Sequence, residues 1–251
     1  MTATTTTATV LRADTNAGSA AVPRLDLYAT IHKALRHWMV DTLLRTGRID
    51  VFDRAAMAGT LAQLEALLIQ CERHLDRENH FVHPAIEARD PGAAVRIAAE
   101  HDEHLEHIAA LREDARQLQQ ASEDCRMALA QRLYRHLALF VADNFQHMHV
   151  EETRHNASLW AHYSDGELGA LHGRLMASLP PQELMDTARW MVPALSPVER
   201  VALFEGMKAE APPEAFLALV EHIRPHLDAA AWAQLAPAMG VSQQPGLVSF
   251  G

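Results

Sequence analysis

The stretch Asn144-Phe145-Gln146-His147-Met148-His149-Val150-Glu151-Glu152 constrains this chain more than any other. It contains His147-x-x-x-Glu151, and in a helix residues four apart lie one above the other on a single face. An imidazole and a carboxylate are therefore held at one point in space. His74-Leu75-Asp76-Arg77-Glu78 repeats the device earlier in the chain. Two helices that each offer a His and a Glu inward are how a four-helix bundle builds a dinuclear metal site. One such pair alone is commonly a solvated surface pair. Two pairs on alternate helices are much harder to obtain by chance.

The rest of the chain supplies the other helices. Pro23 ends a Thr- and Ala-rich stretch, residues 1–22, that reads as a disordered tail without the basic start and apolar core of a signal peptide. Asp26 can cap a first helix that stops at Gly47. On it His32 and His37 lie about 140° apart, so only one can face a common core. A second helix runs from about Asp53 to His83, with Leu61, Leu64, Leu67, Leu68 and Leu75 at helical spacing. Pro84 is expected to kink or restart it, and Asp90-Pro91-Gly92 to turn the chain. The third helix, about Ala93 to Gln120, holds Glu100-His101-Asp102-Glu103-His104, and the fourth spans about Glu123 to Trp160. Strand signals are absent. The fold class read from this pattern is all-α: a four-helix up-down bundle over residues 23–164, with a C-terminal appendage of short helices over 165–240 and a loose tail, 241–251. In the appendage Asp165, Pro180-Pro181, the capping box Ser196-Pro197-Val198-Glu199, Pro212-Pro213 and Asp228 mark helix starts.

Composition narrows the function classes. Acidic residues number 32 against 22 Lys plus Arg, a formal charge of −10, which argues against a nucleic-acid partner. Cys71 and Cys125 are too few and too far apart for a thiolate zinc site or a disulfide framework, and they suit a reducing, cytoplasmic setting. No apolar run approaches the ~20 residues of a membrane span. Sixteen histidines are the anomaly. Imidazole with carboxylate suits iron, manganese or zinc. With His74, Glu78, His147 and Glu151 on the second and fourth helices, the first and third would each add one imidazole: His32, and His101 or His104. Four imidazoles and two carboxylates match a non-haem di-iron site with an open position.

With these residues in hand, the chain resembles the hemerythrin-like, HHE cation-binding family over about Leu25 to Leu171. That family's pattern is a His on helix one, His-x-x-x-Glu on helix two, a His on helix three and His-x-x-x-Glu on helix four. Here the matching positions are His32, His74 with Glu78, His101, and His147 with Glu151. The resemblance implies two iron ions bridged by Glu78 and Glu151 and by an oxo or hydroxo group, zinc or manganese being the alternatives. It further implies that His32 and His147 serve one iron and His74 and His101 the other. Oxygen-carrying hemerythrins have a fifth His from His-x-x-x-His on helix three and a His-x-x-x-x-Asp on helix four. This chain has His101-x-x-His104 and a Glu instead, so reversible oxygen carriage is in doubt.

Smaller expectations attach to neighbours. Tyr28 and Cys71 each lie one turn before a ligand, Asn144 could orient a ligand imidazole, and His155 lies one turn past Glu151. His104 is about 60° round from His101 and is a candidate extra ligand. His136 is on the ligand stripe but too far to share the site. His80, His83 and His149 are expected to point away, and His222 and His226 receive no role. The functions in view are binding or sensing of oxygen or nitric oxide, a di-iron enzyme acting on peroxide or nitric oxide or repairing iron–sulfur clusters, and iron storage or a structural metal site. The repair proteins carry an N-terminal domain with paired cysteines, which this N-terminus lacks. A homodimer is possible.

Overall fold

The computed structural model describes residues 24–241. The tail expected over 1–22, and all but the first residue of the one expected over 241–251, lie outside the described residues. Among those residues the structure is helical without strands. Helix α1 spans Ala29–Gly47. As expected, Asp26 serves its start: the carboxylate accepts from the backbone amides of Tyr28 and Ala29 at 2.8 and 3.0 Å. Helix α2, Arg54–Arg77, is capped by Asp53, which accepts from the amides of Ala55 and Ala56. Helices α4, Val95–Gln120, and α5, Glu123–Val150, complete the bundle. Each of the four packs on two others, α1 on α2 and α5, α4 on α2 and α5. The centre is filled by Leu35, Leu67, Leu68, Ile108, Leu133 and Phe140, of which Leu67 and Leu68 are positions that the helical spacing marks out.

Both long ligand-bearing helices depart from α geometry at the same place. After Arg77 the chain makes a π-turn, Glu78–Val82, closed by the His83 N–H donating to the Glu78 carbonyl. After Val150 it makes another, Glu151–His155, in which the Asn156 N–H donates to the Glu151 carbonyl. Each π-turn therefore begins on one of the two site glutamates. The helices then resume as α3, His83–Arg89, and α6, Asn156–His162. The second helix is thus interrupted and restarted at Pro84, as expected. Pro84 sits within the first turn of α3, and the wider turn before it accommodates a ring that has no N–H to donate.

Helix α7, Asp165–Ala177, starts on a capping box made by Ser164 and Glu167. Asp165, read from the sequence as the cap, instead pairs with Arg24 at 2.7 Å. The inner face of α7 puts Leu168 against Tyr28, Val82, Ile86 and Leu159, which close one end of the bundle. Helices α8, Pro181–Ala194; α9, Pro197–Glu210; α10, Pro213–Ile223; and α11, Ala229–Met239, follow. They share a core of their own around Val192, Phe204, Phe216, Ile223, Trp232 and Leu235. This layer docks on α1 and α2. Trp190 stacks on Trp38 with ring centroids 4.9 Å apart, and the Trp190 carbonyl accepts from His37 at 3.0 Å. Arg77 pairs with the buried Glu183 at 2.5 Å. His37 thus faces the appendage while His32 faces the bundle centre, as their angular separation requires.

Candidate metal centre

All six residues named from the sequence meet between the four helices. His32, Glu78, His101, His147 and Glu151 are buried, and His74 is mostly so. They form two groups whose ligand atoms lie within 4.8 Å of one another: His32, His74, Glu78 and Glu151 in one, and Glu78, His101, His147 and Glu151 in the other. The imidazoles pair accordingly, with Nε2 of His32 and His74 3.3 Å apart and Nε2 of His101 and His147 3.1 Å apart. The expected pairing, His32 with His147 and His74 with His101, is therefore corrected. Neighbouring helices α1 and α2 supply one pair, α4 and α5 the other.

Both carboxylates belong to both groups. Oε1 of Glu78 lies 3.1 Å from His74 and 3.8 Å from His32, while its Oε2 lies 3.5 Å from His101. Oε2 of Glu151 lies 3.4 Å from His32, while its Oε1 lies 3.3 Å from His147 and 3.9 Å from His101. Each glutamate thus turns one oxygen toward each imidazole pair. None of these four oxygens has a hydrogen-bond partner among the described residues, a costly arrangement for buried carboxylates unless something else neutralises them.

The outer ring nitrogens explain why the imidazoles do not fill that role. Nδ1–H of His32 donates to Glu152 at 3.1 Å, that of His101 to the Asn79 amide oxygen at 2.9 Å, and that of His147 to Glu100 at 3.1 Å. The proton is placed on the outer nitrogen, so a neutral ring presents a bare lone pair inward. Glu152 is itself fixed by both arms of the Arg36 guanidinium at 2.6 and 2.9 Å, and Glu100 by Arg96 at 2.8 Å. With the rings neutral, lone pairs and carboxylate oxygens converge without hydrogens between them and repel one another unless a proton or a metal cation sits there. Such outer partners fix ring orientation in metal sites. The residues present therefore fit metal ions, and each group could hold one.

The charge balance agrees. Burial works against a proton on His32, but Glu152, Glu78 and Glu151 outweigh it and lift its pKa to about 9. Burial favours the neutral form of Glu78, yet His74 and His32 hold its carboxyl well below the usual range. Glu151 is held down in the same sense by His101 and His147, against burial and its neighbour Glu78. The centre thus keeps its carboxylates ionised and calls for positive charge, from protons or from metal.

Several neighbours differ from expectation. Asn144 does not orient an imidazole; its amide donates to the Phe140 carbonyl at 2.8 Å within its own helix. The orienting groups are Glu152, Asn79 and Glu100. Glu152, Asn79 and Glu100 each stand directly beside a converging residue in the sequence, a signal of nearness that does not say which ring each one orients. His83 does not point away. It is buried, stacked on His101 at 4.8 Å, and grouped with Glu151 and His155. In an uninterrupted α-helix a residue five places on is about 140° round, whereas the π-turn sets it above Glu78. The Pro immediately after His83 was the one signal for such a distortion. His155 is buried, with Nδ1 3.2 Å from the Tyr28 hydroxyl. Burial, assisted by His147 and His101, pushes His104 down to about 4, and burial with His101 does the same to His83. His104 packs edge-on against His147 at 4.7 Å but is in neither ligand group. Cys71 lies in the bundle core, where burial pushes its thiol to about 12. His136 pairs with Asp114, and His80 and His149 are exposed as expected.

No described helix is long and apolar enough to cross a membrane. Comparison with curated proteins and with solved structures found no match. The hemerythrin HHE cation-binding domain model matches residues 24–154, which covers all six converging residues and more than half of the 251-residue chain. A match of that extent, ending just beyond the last glutamate of the cluster, means that this chain belongs to the hemerythrin HHE cation-binding family.

Proposed function

We propose that the chain holds two iron ions bridged by Glu78 and Glu151, and that it binds or senses oxygen or nitric oxide at that centre. The observation that carries the reading is the division of each carboxylate between two imidazole pairs, one oxygen toward each. His32 and His74 would hold one ion, His101 and His147 the other. A bridged iron pair supplies redox-active metal with open coordination for a small ligand. The chain's own part is to orient and to exclude. Glu152, Asn79 and Glu100 keep the four-donor geometry by fixing three rings. Leu67, Leu68 and Phe140 are wholly buried in the core beyond the ligands and keep bulk water from that side. With two imidazole nitrogens and one oxygen from each glutamate, each ion would keep room for an exogenous ligand. The test is an optical spectrum of iron-loaded protein, reduced and then exposed to oxygen or nitric oxide. A new charge-transfer band that is reversed on ligand removal supports binding or sensing. Loss of the ligand with continued turnover of peroxide would instead favour an enzyme.

A further inference from the structure

Beside the two ligand groups the structure gathers a third set of polar atoms. His83, His155 and Glu151 bring one ligand atom each within 4.8 Å of one another. The two rings meet edge to face at 5.4 Å. His83 is 6 % exposed and His155 1 %. Neither nitrogen of His83, nor Nε2 of His155, has a hydrogen-bond partner among the described residues. Buried polar atoms left this way are costly unless something absent from the protein itself satisfies them. Both residues reach this position through the π-turns that start on Glu78 and Glu151, so the same distortion that follows each carboxylate also delivers an imidazole beside the centre.

Two observations set the role of these rings apart from that of the six ligands. The Tyr28 hydroxyl lies 3.2 Å from Nδ1 of His155. A phenol is the stronger donor and an imidazole nitrogen the stronger acceptor, so Tyr28 donates and the ring proton of neutral His155 sits on Nε2. That buried nitrogen, without a partner among the described residues, therefore carries an N–H rather than a lone pair. His83 lies nearly parallel to His101, 27° between planes at 4.8 Å. Imidazoles coordinate within their ring plane, and near-parallel stacked rings direct their lone pairs side by side rather than onto one ion. We propose that His83 and His155 form a donor-lined pocket next to Glu151 that hydrogen-bonds a small anionic ligand, bound through an oxygen or nitrogen atom, at the metal centre.

The proposal rests on the cation pair proposed above. Bound cations are the largest local charges in such a site and make the pocket attractive to an anion despite the neighbouring carboxylates. The N–H groups then favour ligands that accept hydrogen bonds over those that do not, and this would select among small molecules of similar size.

Azide is a suitable probe, with the full chain loaded with iron and its metal content measured first. Azide affinity is then read by optical titration and by calorimetry in wild type, His83→Phe, His155→Phe, His155→Gln and Tyr28→Phe. The Phe replacements at the two histidines should keep the wild-type metal content and weaken azide by about 10-fold or more, the worth of one hydrogen bond to a charged group. His155→Gln, which restores an N–H, should recover most of that loss. Tyr28→Phe leaves both imidazoles in place and should weaken azide less than His155→Phe does. Because Tyr28→Phe frees the His155 tautomer, it should still weaken azide relative to wild type, and where a histidine variant does not fold, an affinity unchanged in Tyr28→Phe overturns the proposal. Azide affinity unchanged in the variants, or absent in wild type, overturns the proposal. So does metal content that falls in His83→Phe or His155→Phe while circular dichroism stays native, since the rings would then be ligands. Wild type that never loads a metal pair fails at the first measurement and removes the underlying reading before azide is added.

Discussion

Removing the metal should give the protein a stability that falls as the solution becomes alkaline. In the metal-free fold His32 has a pKa of about 9 against 6.5 for the free side chain. Below pH 6.5 the ring is protonated in both folded and unfolded chains, and its attraction to Glu152, Glu78 and Glu151 is fully available. Above 6.5 the unfolded chain gives up the proton first, so the folded state binds more protons and stability declines until the folded ring also deprotonates near pH 9. At about 1.4 kcal/mol per pH unit across that window, the loss is up to about 3 kcal/mol. For a chain of this size that amounts to a fall in Tm of roughly 10 °C. His147, whose pKa is also raised against burial by Glu151, adds in the same direction. The assay is denaturant unfolding of chelator-treated protein at several pH values from 6 to 9.5, beside the loaded protein and a metal-free His32→Gln variant. The loaded protein should be nearly flat over this range, because a ligating imidazole has already given up its inward proton. His32→Gln should lose most of the slope. Metal-free wild type that is flat, or that gains stability between pH 6.5 and 9, would refute the picture of carboxylates holding a proton where metal belongs.

Other consequences are more direct. Glu152→Gln removes the anionic partner of His32 and of Arg36; it should lower metal affinity by about 10- to 100-fold, measured by competition with a chelator, with little change in helicity. His101→Ala should reduce metal content, whereas His104→Ala should leave it unchanged, and the reverse result would show that the other helix-three histidine is the ligand. Trp190→Ala empties the stack against Trp38 and should destabilise the protein by about 3–5 kcal/mol in thermal unfolding while metal content per folded chain stays the same.

Much of this architecture is legible in the sequence because it depends on periodicity and caps. His74 with Glu78 and His147 with Glu151 sit four apart on helices, so their convergence follows from the helical repeat. Asp26, Asp53, Ser196 and Asp228 do at helix starts what their side chains can do anywhere. The failures share a cause. At an α-helical angle per residue His83 falls on the outer face, but the π-turn adds a residue between Glu78 and the next turn and brings the ring inward. The imidazoles group differently from what the family resemblance implies because which rings meet is a property of helix packing, which no one-dimensional pattern encodes. Asn79, Glu100 and Glu152 escaped because their task depends on where a partner ring on another helix presents its outer nitrogen. Asp165 lost the cap of α7 to Ser164, one residue earlier, because Arg24 draws the Asp165 carboxylate away.

The central claim is a pair of ions sharing Glu78 and Glu151. Elemental analysis, paired with native mass spectrometry, of protein fully loaded with iron under anaerobic conditions tests it most directly. The account predicts two iron ions per chain in wild type and a marked loss in both Glu78→Ala and Glu151→Ala, because each glutamate faces both imidazole pairs. One ion or fewer per chain in fully loaded wild type, or two ions retained when either glutamate is replaced, would contradict it.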